Sequence, residues 1–149
     1  MLEDKAMHPP WKTLLIAAGV GQLILIAASL AIPRVLRWSQ DLAKLRPLTR
    51  QVFWTYACYI WATNLSFGLI STFASDWLLD TTPLAGSVCG FIATYWGTRV
   101  AIQFVYFDRA DAPKGPHFVL AEALLIGLFV FLTLVYGGLC ARALRGIGV

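Results

Sequence analysis

Charged residues are scarce in this 149-residue chain, and their scarcity argues against an ordinary water-soluble domain. Asp, Glu, Lys and Arg together make up 13% of the residues, whereas hydrophobic residues make up 58%. Soluble domains usually carry about 25% charged residues. One domain of this length has too little interior to hide so much apolar surface, so we expect the excess to face lipid. The basic residues stand between apolar runs and form no single patch, which excludes a nucleic-acid partner.

Cysteine and histidine are also rare, and their positions exclude most cofactor sites. The three cysteines form no CxxC motif, which argues against a thiol-disulfide oxidoreductase or a zinc ribbon. We expect Cys58, Cys89 and Cys140 to be apolar packing residues, with a disulfide between Cys89 and Cys140 left open. His8 and His117 fall on opposite predicted faces of the membrane, so they cannot ligate one haem. We therefore expect no cofactor and no metal.

Motifs of common enzyme families are absent as well. The chain holds no P-loop, no GxGxxG and no Ser-His-Asp arrangement, and no lysine falls inside a predicted helix for a retinal-type Schiff base. The N-terminus carries Glu3 and Asp4 and no small-residue cleavage site, which is unlike a signal peptide. We expect the first apolar run to be a retained membrane anchor.

Four long apolar runs dominate the chain. Each contains a stretch of 18 to 25 residues without a formal charge, close to the roughly 20 residues that a helix needs to cross a bilayer. Lipid cannot satisfy open backbone groups, so such runs indicate helices. We predict an all-α fold, an antiparallel bundle of four transmembrane helices forming a single membrane domain over residues 1–149. The predicted helices cover about 12–32, 52–74, 84–107 and 117–140.

The distribution of Lys and Arg predicts the orientation of this bundle, because cytoplasmic loops carry an excess of both. Eight of the twelve basic residues fall on the side of the connectors 33–51 and 108–116, and four fall on the side of the termini. The remaining connector holds Asp76 and Asp80 and no basic residue. We therefore predict a multi-pass cell-membrane protein with both basic connectors in the cytoplasm and both termini outside.

The segment 34–46 is predicted to form a helix that lies in the headgroup plane. Trp38 and Leu42 fall on its apolar face, and Arg37 and Lys44 fall on another face. We expect Arg37, Trp38 and Lys44 to contact the membrane surface, with anionic lipid of the inner leaflet as the partner. The alternative is a solvated connector whose basic residues only set the orientation. The two interpretations are compatible.

The third predicted helix carries a stripe of small residues. Gly86, Gly90, Ala93 and Gly97 lie on one face of it. Small residues allow two helix backbones to approach closely, which drives helix association in lipid. The stripe predicts either packing against another helix of the same chain or a homo- or hetero-oligomer through this helix. The presence of four helices in one chain favours the first.

A polar stripe lies on the opposite face of the same helix and consists of Tyr95, Arg99, Gln103 and Tyr106. Arg99 would lie roughly 12 Å from the helix end at 1.5 Å per residue, where a guanidinium is costly without a partner. Glu122 on the fourth predicted helix lies at a similar distance from the intervening turn. The spacing therefore predicts an ion pair between Arg99 and Glu122.

This predicted pair has two interpretations. One is a structural clamp that fixes the register of the third and fourth helices. The other is a polar pocket open to the cytoplasmic leaflet, in which Arg99 binds an anionic head group. The other members of the polar stripe would then orient that group.

Polar side chains also occur inside the first and second predicted helices. They are Gln22, Asn64 and the stripe Tyr56, Tyr59, Thr63 and Ser66. Interhelical hydrogen bonds of about 1 kcal/mol each explain such residues, and lining of a pore or ligand site is the alternative. Tryptophans near the predicted interfaces are expected to anchor the bundle as an aromatic belt.

The stretch from Leu48 to Gly138 resembles a loose group of small bacterial four-helix membrane proteins of uncharacterised function. The residues that carry the resemblance are Trp96, Arg99, Gln103, Tyr106-Phe107-Asp108, Arg50-Gln51-Val52-Phe53-Trp54 and Tyr136-Gly137-Gly138. The resemblance implies a fold and no activity. The size and the basic first connector are also similar to the glutathione-dependent MAPEG membrane enzymes. The chain departs from their Arg-Ala-x-x-Asn motif, because Tyr59-Ile60-Trp61-Ala62-Thr63 precedes Asn64.

Three functions fit these observations. The first is a non-enzymatic membrane protein, a helix bundle that acts as an interaction or accessory subunit. The second is a binder or carrier of a small anionic amphiphile or lipid at a cytoplasmic-leaflet pocket around Arg99. The third is a small membrane enzyme that acts on a lipophilic substrate near Arg99. A closed ion pair would favour the first, and a cavity of several hundred Å³ beside Arg99 would favour the others.

Overall fold

The computed structural model describes residues 8–106 and 115–146, with side chains from residue 10 onward, and all regular structure in these residues is helical. The predicted all-α class is therefore confirmed. Four helices are long and three are short. The helices are α1 (His8–Ser29), α2 (Ile32–Val35), α3 (Trp38–Ala43), α4 (Pro47–Phe73), α5 (Ser75–Leu79), α6 (Pro83–Val105) and α7 (Pro116–Gly146).

Proline marks the start of three of the four long helices. Pro47, Pro83 and Pro116 are the first residues of α4, α6 and α7. Proline suits this position because it lacks the N–H that a helix start cannot satisfy internally. The start of α6 is also capped, since the Thr82 side chain accepts a hydrogen bond from the backbone N–H of Ala85 at 3.2 Å. The observed helices therefore begin up to five residues before the predicted starts.

The segment 34–46 differs from the single helix predicted for it. Two short helices, α2 and α3, flank Arg37, which adopts the left-handed conformation with φ 51° and ψ 37°. The break reverses the chain so that the Trp38 ring packs against Phe53 and Trp54 on α4, with centroids 4.9 and 6.0 Å apart. A continuous helix would carry Trp38 away from α4, so aromatic packing overrides the helical pattern.

The long helices form two antiparallel pairs, α1 with α4 and α6 with α7, and α1 joins the pairs by also packing against α7. Close approach depends on glycine in the first pair, where a Cβ added at Gly19 would lie 2.9 Å from the backbone nitrogen of Thr72. The start of α1 and the end of α7 lie at the same end of the bundle, since Trp11 packs against Gly138. The 80–82 connector lies at the same end of the bundle, because Thr81 contacts Gly146 at the end of α7.

The small-residue stripe of α6 faces α7. A Cβ at Gly86 would lie 3.0 Å from the Ala143 Cβ, and one at Gly90 would lie 3.1 Å from the Cys140 sulphur. Gly97 continues the same face, 3.5 Å from the Thr133 methyl group, and Ala93 is partly buried beside it. The stripe thus packs within the chain, and α7 covers the face that would otherwise be open to an oligomer.

Large apolar side chains occur on both the inside and the outside of the bundle. The interior is centred on Leu15, Ile92, Trp96, Leu132 and Tyr136, all at most 1% exposed. The outer surface nevertheless carries many exposed large hydrophobic residues on every long helix. Two stretches of the described residues, Pro10–Val35 and Pro116–Gly146, are long and apolar enough to cross a membrane.

Candidate functional site

A buried polar cluster joins the four long helices near the middle of the bundle. Gln22 of α1 donates through Nε2 to the Tyr136 hydroxyl of α7 at 2.7 Å. Trp96 of α6 donates through Nε1 to Gln22 Oε1 at 3.3 Å. The Ser71 hydroxyl of α4 is hydrogen-bonded to the Tyr136 hydroxyl. One side chain from each long helix therefore contributes, and we call these four residues the polar cluster.

Each side chain of the polar cluster has a hydrogen-bond partner inside the bundle. Gln22 is fully buried, and its amide nitrogen uses its second donor on the Ala18 carbonyl at 3.3 Å. Tyr136 and Ser71 are also fully buried and bonded to each other. Buried networks that are fully satisfied rigidify a structure and specify one arrangement of its parts. This geometry suits a structural lock between the four long helices.

Sequence reasoning found one member of the polar cluster and missed the other three. Gln22 was expected to form interhelical hydrogen bonds, and it does. Ser71 and Tyr136 are polar groups within apolar runs, but other polar residues share those runs, so the sequence did not single them out. The predicted stripe on α4 lies elsewhere: Tyr56 and Tyr59 are 65% and 67% exposed, and Ser66 and Thr63 are not part of the polar cluster.

Arg99 lies on the outer surface of α6 and is exposed. Its guanidinium carbon is 5.9 Å from the centroid of the Phe129 ring, a cation–π geometry. Tyr95, one turn earlier, packs edge-on against Phe67 of α4 and against Trp96, with centroids 5.4 and 5.2 Å apart. Arg99 therefore stands at the rim of an aromatic patch that bridges three helices.

The predicted ion pair between Arg99 and Glu122 is wrong. Glu122 Oε1 accepts a hydrogen bond from Gln103 Nε2 at 3.2 Å. The ion pairs between described residues are Lys12–Asp76 at 2.7 Å and Lys44–Asp41 at 3.2 Å.

The stagger between α6 and α7 explains the error. Contacts of Gly90 with Cys140 and of Gly97 with Thr133 fix the register of the two helices. Continuing this register places Arg99 level with Phe131, nine residues beyond Glu122. At 1.5 Å per residue, Arg99 and Glu122 are offset by roughly 13 Å along the helix axis. The prediction assumed that both helices extend equally from the turn, whereas the first turns of α7 project beyond the end of α6.

The five residues of the predicted pocket therefore divide into three places. Tyr95 and Arg99 share the aromatic patch, and Gln103 and Glu122 form a separate pair nearer the 107–114 connector. Tyr106, just past the end of α6, is 80% exposed. The structure brings together only neighbouring members of the predicted site.

Asn64 of α4, one of the polar residues inside the second predicted helix, lies next to the aromatic patch. Its side-chain oxygen is buried without a hydrogen-bond partner among the described residues. Asn64 also lies beside Tyr95 of α6. An unpaired buried carbonyl costs free energy and readily accepts a donor. The junction of α4 and α6 thus holds a cation, a phenol and a buried side-chain amide.

The connector between α1 and α4 forms a cavity of about 440 Å³. Its lining residues are Pro33, Arg34, Arg37, Ser39, Gln40 and Trp54. Of the predicted lipid-contact residues, Arg37 lines this cavity, whereas Trp38 packs inward on α4. Lys44 pairs with Asp41 in an exposed ion pair. Two arginines thus line this concave surface, and no acidic side chain does.

Metal-binding and disulfide groups do not define a site in the described part of the chain. There, no group of three or more His, Cys, Asp or Glu side chains could hold a metal ion. Cys58, Cys89 and Cys140 are free thiols. Cys89 is buried and lies within reach of the Leu78 carbonyl, with 3.7 Å between the sulphur and the oxygen.

No family model, curated protein or solved structure matches this chain. The resemblance to small four-helix membrane proteins therefore remains a prediction. Function has to be inferred from the polar cluster, the Arg99 patch and the arginine-lined cavity.

Proposed function

We propose that this chain is an integral membrane protein whose four long helices all cross the bilayer. The stretches Pro10–Val35 and Pro116–Gly146 have the length and apolarity of membrane spans. The other two long helices, α4 with 27 residues and α6 with 23, also exceed the roughly 20 residues needed. Because α4 pairs with α1 and α6 pairs with α7, insertion of one member of a pair favours insertion of the other.

The observation that carries this proposal is the inverted polarity of the bundle. The polar cluster is buried at the centre, whereas Ile24, Phe91 and Leu134 on the outside are 64%, 62% and 68% exposed. In water, each large exposed apolar side chain forgoes about 1.5–3 kcal/mol that burial would supply. Contiguous apolar surface on every long helix is expected where hydrocarbon is the solvent. Polar groups, in contrast, are stable there only when they bond to one another.

The arrangement of the helix ends supports the orientation proposed for the chain. The starts of α1 and α6 and the end of α7 share one end of the bundle, as the contacts of Trp11 and Thr81 indicate. The connector 30–46 lies at the opposite end and carries Arg34, Arg37, Lys44 and Arg46. The positive-inside rule then puts the 30–46 connector in the cytoplasm and the termini outside.

Within the membrane, we propose a non-enzymatic role as an interaction or accessory protein. The buried polar groups bond to one another, so the polar cluster holds the helices together. The outward surface of α6 instead presents Arg99, whose guanidinium contacts Phe129. A cation on a lipid-facing surface favours contact with an anionic group of another membrane component.

The second candidate function is binding of a small anionic amphiphile at the Arg99 patch. The observation that favours it is the Tyr95 phenol, which is hydrogen-bonded to the Asn64 side chain and lies near the exposed Arg99 guanidinium. This candidate keeps the same membrane architecture and differs only in the occupant of the patch.

Membrane insertion is tested by fractionation and by labelling. The chain is expected to remain in the membrane pellet after alkaline carbonate extraction. Single cysteines at Ser39 and Thr81, in a variant lacking the natural thiols, are treated with a membrane-impermeant maleimide on intact cells. Labelling at Thr81 and protection at Ser39 are expected. Extraction into buffer, or equal labelling of both positions, would overturn the four-span architecture.

The accessory role and the amphiphile role are separated by Arg99→Met. The wild type and the variant are purified in detergent, and the molecules that accompany each are identified by mass spectrometry. A protein lost from the variant supports the accessory role, and a small amphiphile lost from it supports the second candidate. Identical companions on both would exclude the Arg99 patch from either role. Thr98→Met, one position away on the same exposed surface, is the matched control.

A further inference from the structure

Two concave surfaces meet at Trp54. The first is the arginine-lined cavity of about 440 Å³ described above. The second is an open groove of about 460 Å³ on the outer face of α4. The groove is lined by Trp54, Thr55, Cys58, Tyr59 and Ala62. Because Trp54 lines both, the cationic cavity and the apolar groove adjoin at this residue.

The chemistry of the cavity favours a phosphate. Arg34 and Arg37 both line it, and no acidic side chain does. The nearest acid in the sequence, Asp41, is paired with Lys44 instead. Guanidinium groups bind phosphate oxygens with pairs of parallel hydrogen bonds, a geometry that lysine cannot reproduce. Ser39 and Gln40 add neutral donors to the same lining.

The cavity is formed by the break in the connector. Arg37 in the left-handed conformation turns the chain, so that α2 and α3 lie on two sides of the opening. Trp38, the next residue, is fixed by edge-on contacts to Phe53 and Trp54. Aromatic packing of Trp38 therefore fixes the backbone turn next to Arg37 before any ligand arrives, which lowers the entropy cost of binding.

The groove has the shape of an acyl-chain site. Trp54, Cys58 and Ala62 follow one another at four-residue intervals, so they form one stripe along α4. The small side chains of Cys58 and Ala62 leave a furrow beside the rings of Trp54 and Tyr59. The furrow runs from the connector end of α4 toward the middle of the helix, the direction in which a lipid chain enters the bilayer.

We propose that the cavity and the groove together bind one anionic phospholipid, with its phosphate between Arg34 and Arg37 and an acyl chain along Cys58 and Ala62. This inference rests on the proposed insertion of α4 in the membrane. Both a lipid headgroup and a free phosphate ester carry the group that the arginines recognise. The adjoining apolar groove decides for the lipid, because a free phosphate ester would leave the groove without a function.

Native mass spectrometry of the full chain in detergent tests the cavity. Titration with dioleoyl phosphatidylglycerol is expected to give stronger binding than dioleoyl phosphatidylcholine, whose choline is repelled by the arginines. Arg34→Gln/Arg37→Gln is expected to weaken phosphatidylglycerol binding about tenfold or more, since each charged hydrogen bond contributes substantially. Arg34→Lys/Arg37→Lys keeps the positive charge but removes the paired hydrogen bonds of the guanidinium groups. We expect it to weaken phosphatidylglycerol binding less than the glutamine variant does.

The matched control is Arg46→Gln/Arg50→Gln. It removes the same charge from the same part of the chain, outside the cavity lining. If both double glutamine variants lose phosphatidylglycerol equally, binding is a general charge effect and the site is overturned. The unfolding temperature of each variant is first compared with that of the wild type. If the double variant unfolds at a lower temperature, the single variants Arg34→Gln and Arg37→Gln are used in its place.

The groove is tested by Ala62→Trp, with Ala123→Trp on the exposed surface of α7 as its control. Filling the furrow is expected to weaken phosphatidylglycerol binding several-fold, whereas the control should not. Glycerol 3-phosphate serves as the probe without chains. If it binds the wild type as tightly as the lipid, or if Ala62→Trp changes nothing, the lipid assignment is overturned.

Failure of this inference differs from failure of the proposed function. A chain that resists carbonate extraction but binds phosphatidylglycerol and phosphatidylcholine equally overturns the lipid site alone. A chain that is extracted by carbonate overturns the membrane architecture, and the lipid site with it.

Discussion

The Tyr136 hydroxyl of α7 accepts a hydrogen bond from Gln22 Nε2 of α1, at 2.7 Å and across 114 positions of sequence. Both side chains are fully buried. The same hydroxyl bonds to Ser71 of α4, and Gln22 also accepts from Trp96 of α6. One pair of residues therefore connects the two antiparallel helix pairs, which otherwise meet mainly through apolar contacts.

Tyr136→Phe is expected to destabilise the bundle by about 1–2 kcal/mol, because it leaves a buried donor of Gln22 without its partner. Thermal unfolding in detergent, followed by tryptophan fluorescence, measures the change. Tyr59→Phe is the matched control, since that ring is 67% exposed. Equal midpoints for the two variants would mean that the polar cluster does not hold the helices together.

Gly19→Ala is expected to lower the unfolding free energy by about 1–3 kcal/mol through overpacking. The added Cβ would lie 2.9 Å from the Thr72 backbone nitrogen, and backbone cannot move aside cheaply. Gly127→Ala is the control, because no atom lies within 4 Å of its added Cβ and alanine favours helix. We expect Gly127→Ala to be neutral or stabilising. If Gly127→Ala lowered the unfolding free energy as much as Gly19→Ala, the close packing of α1 on α4 would be contradicted.

Much of the fold was predictable because long apolar runs without charges favour helices. Four apolar runs without charges indicated four helices, and α1, α4, α6 and α7 occupy those runs. Helix ends were less predictable, since hydropathy marks the apolar part of a helix and hydrogen bonding continues beyond it. Thus α7 extends to Gly146, six residues past its predicted end.

The contacts between helices could not be predicted from one sequence. The prediction of an Arg99–Glu122 pair was wrong because the sequence does not reveal how the two helices are staggered. The first turns of α7 project beyond the end of α6. The break at Arg37 was hidden for a similar reason: the local pattern is helical, and only the packing of Trp38 on Phe53 opposes it. Local pattern determines the elements, whereas stagger and long-range aromatic contacts determine the sites.

The stagger between α6 and α7 predicts that Arg99 and Glu122 are energetically independent. Their effects on stability, measured for Arg99→Met, Glu122→Gln and the double variant, should add to within about 0.5 kcal/mol, as expected for separated sites. The parallel cycle of Gln103→Leu with Glu122→Gln should show coupling, because a hydrogen bond of 3.2 Å joins these two residues. If Arg99 and Glu122 were energetically coupled, and Gln103 and Glu122 were not, the result would support the ion pair rejected above.

The break in the connector predicts that Arg37 and Arg34 respond oppositely to glycine. Arg37 has φ 51°, a conformation that costs a side-chain-bearing residue roughly 1–2 kcal/mol and costs glycine little. Arg37→Gly is therefore expected to leave the unfolding midpoint unchanged or raised, even though it removes a charge. Arg34 lies within α2, so Arg34→Gly should lower stability by about 0.5–1 kcal/mol. Each variant lacks one arginine of the cavity, so phosphatidylglycerol binding should fall in both. Arg37→Gly is thus expected to weaken lipid binding without lowering stability. A large loss of stability in this variant would contradict the left-handed turn at Arg37.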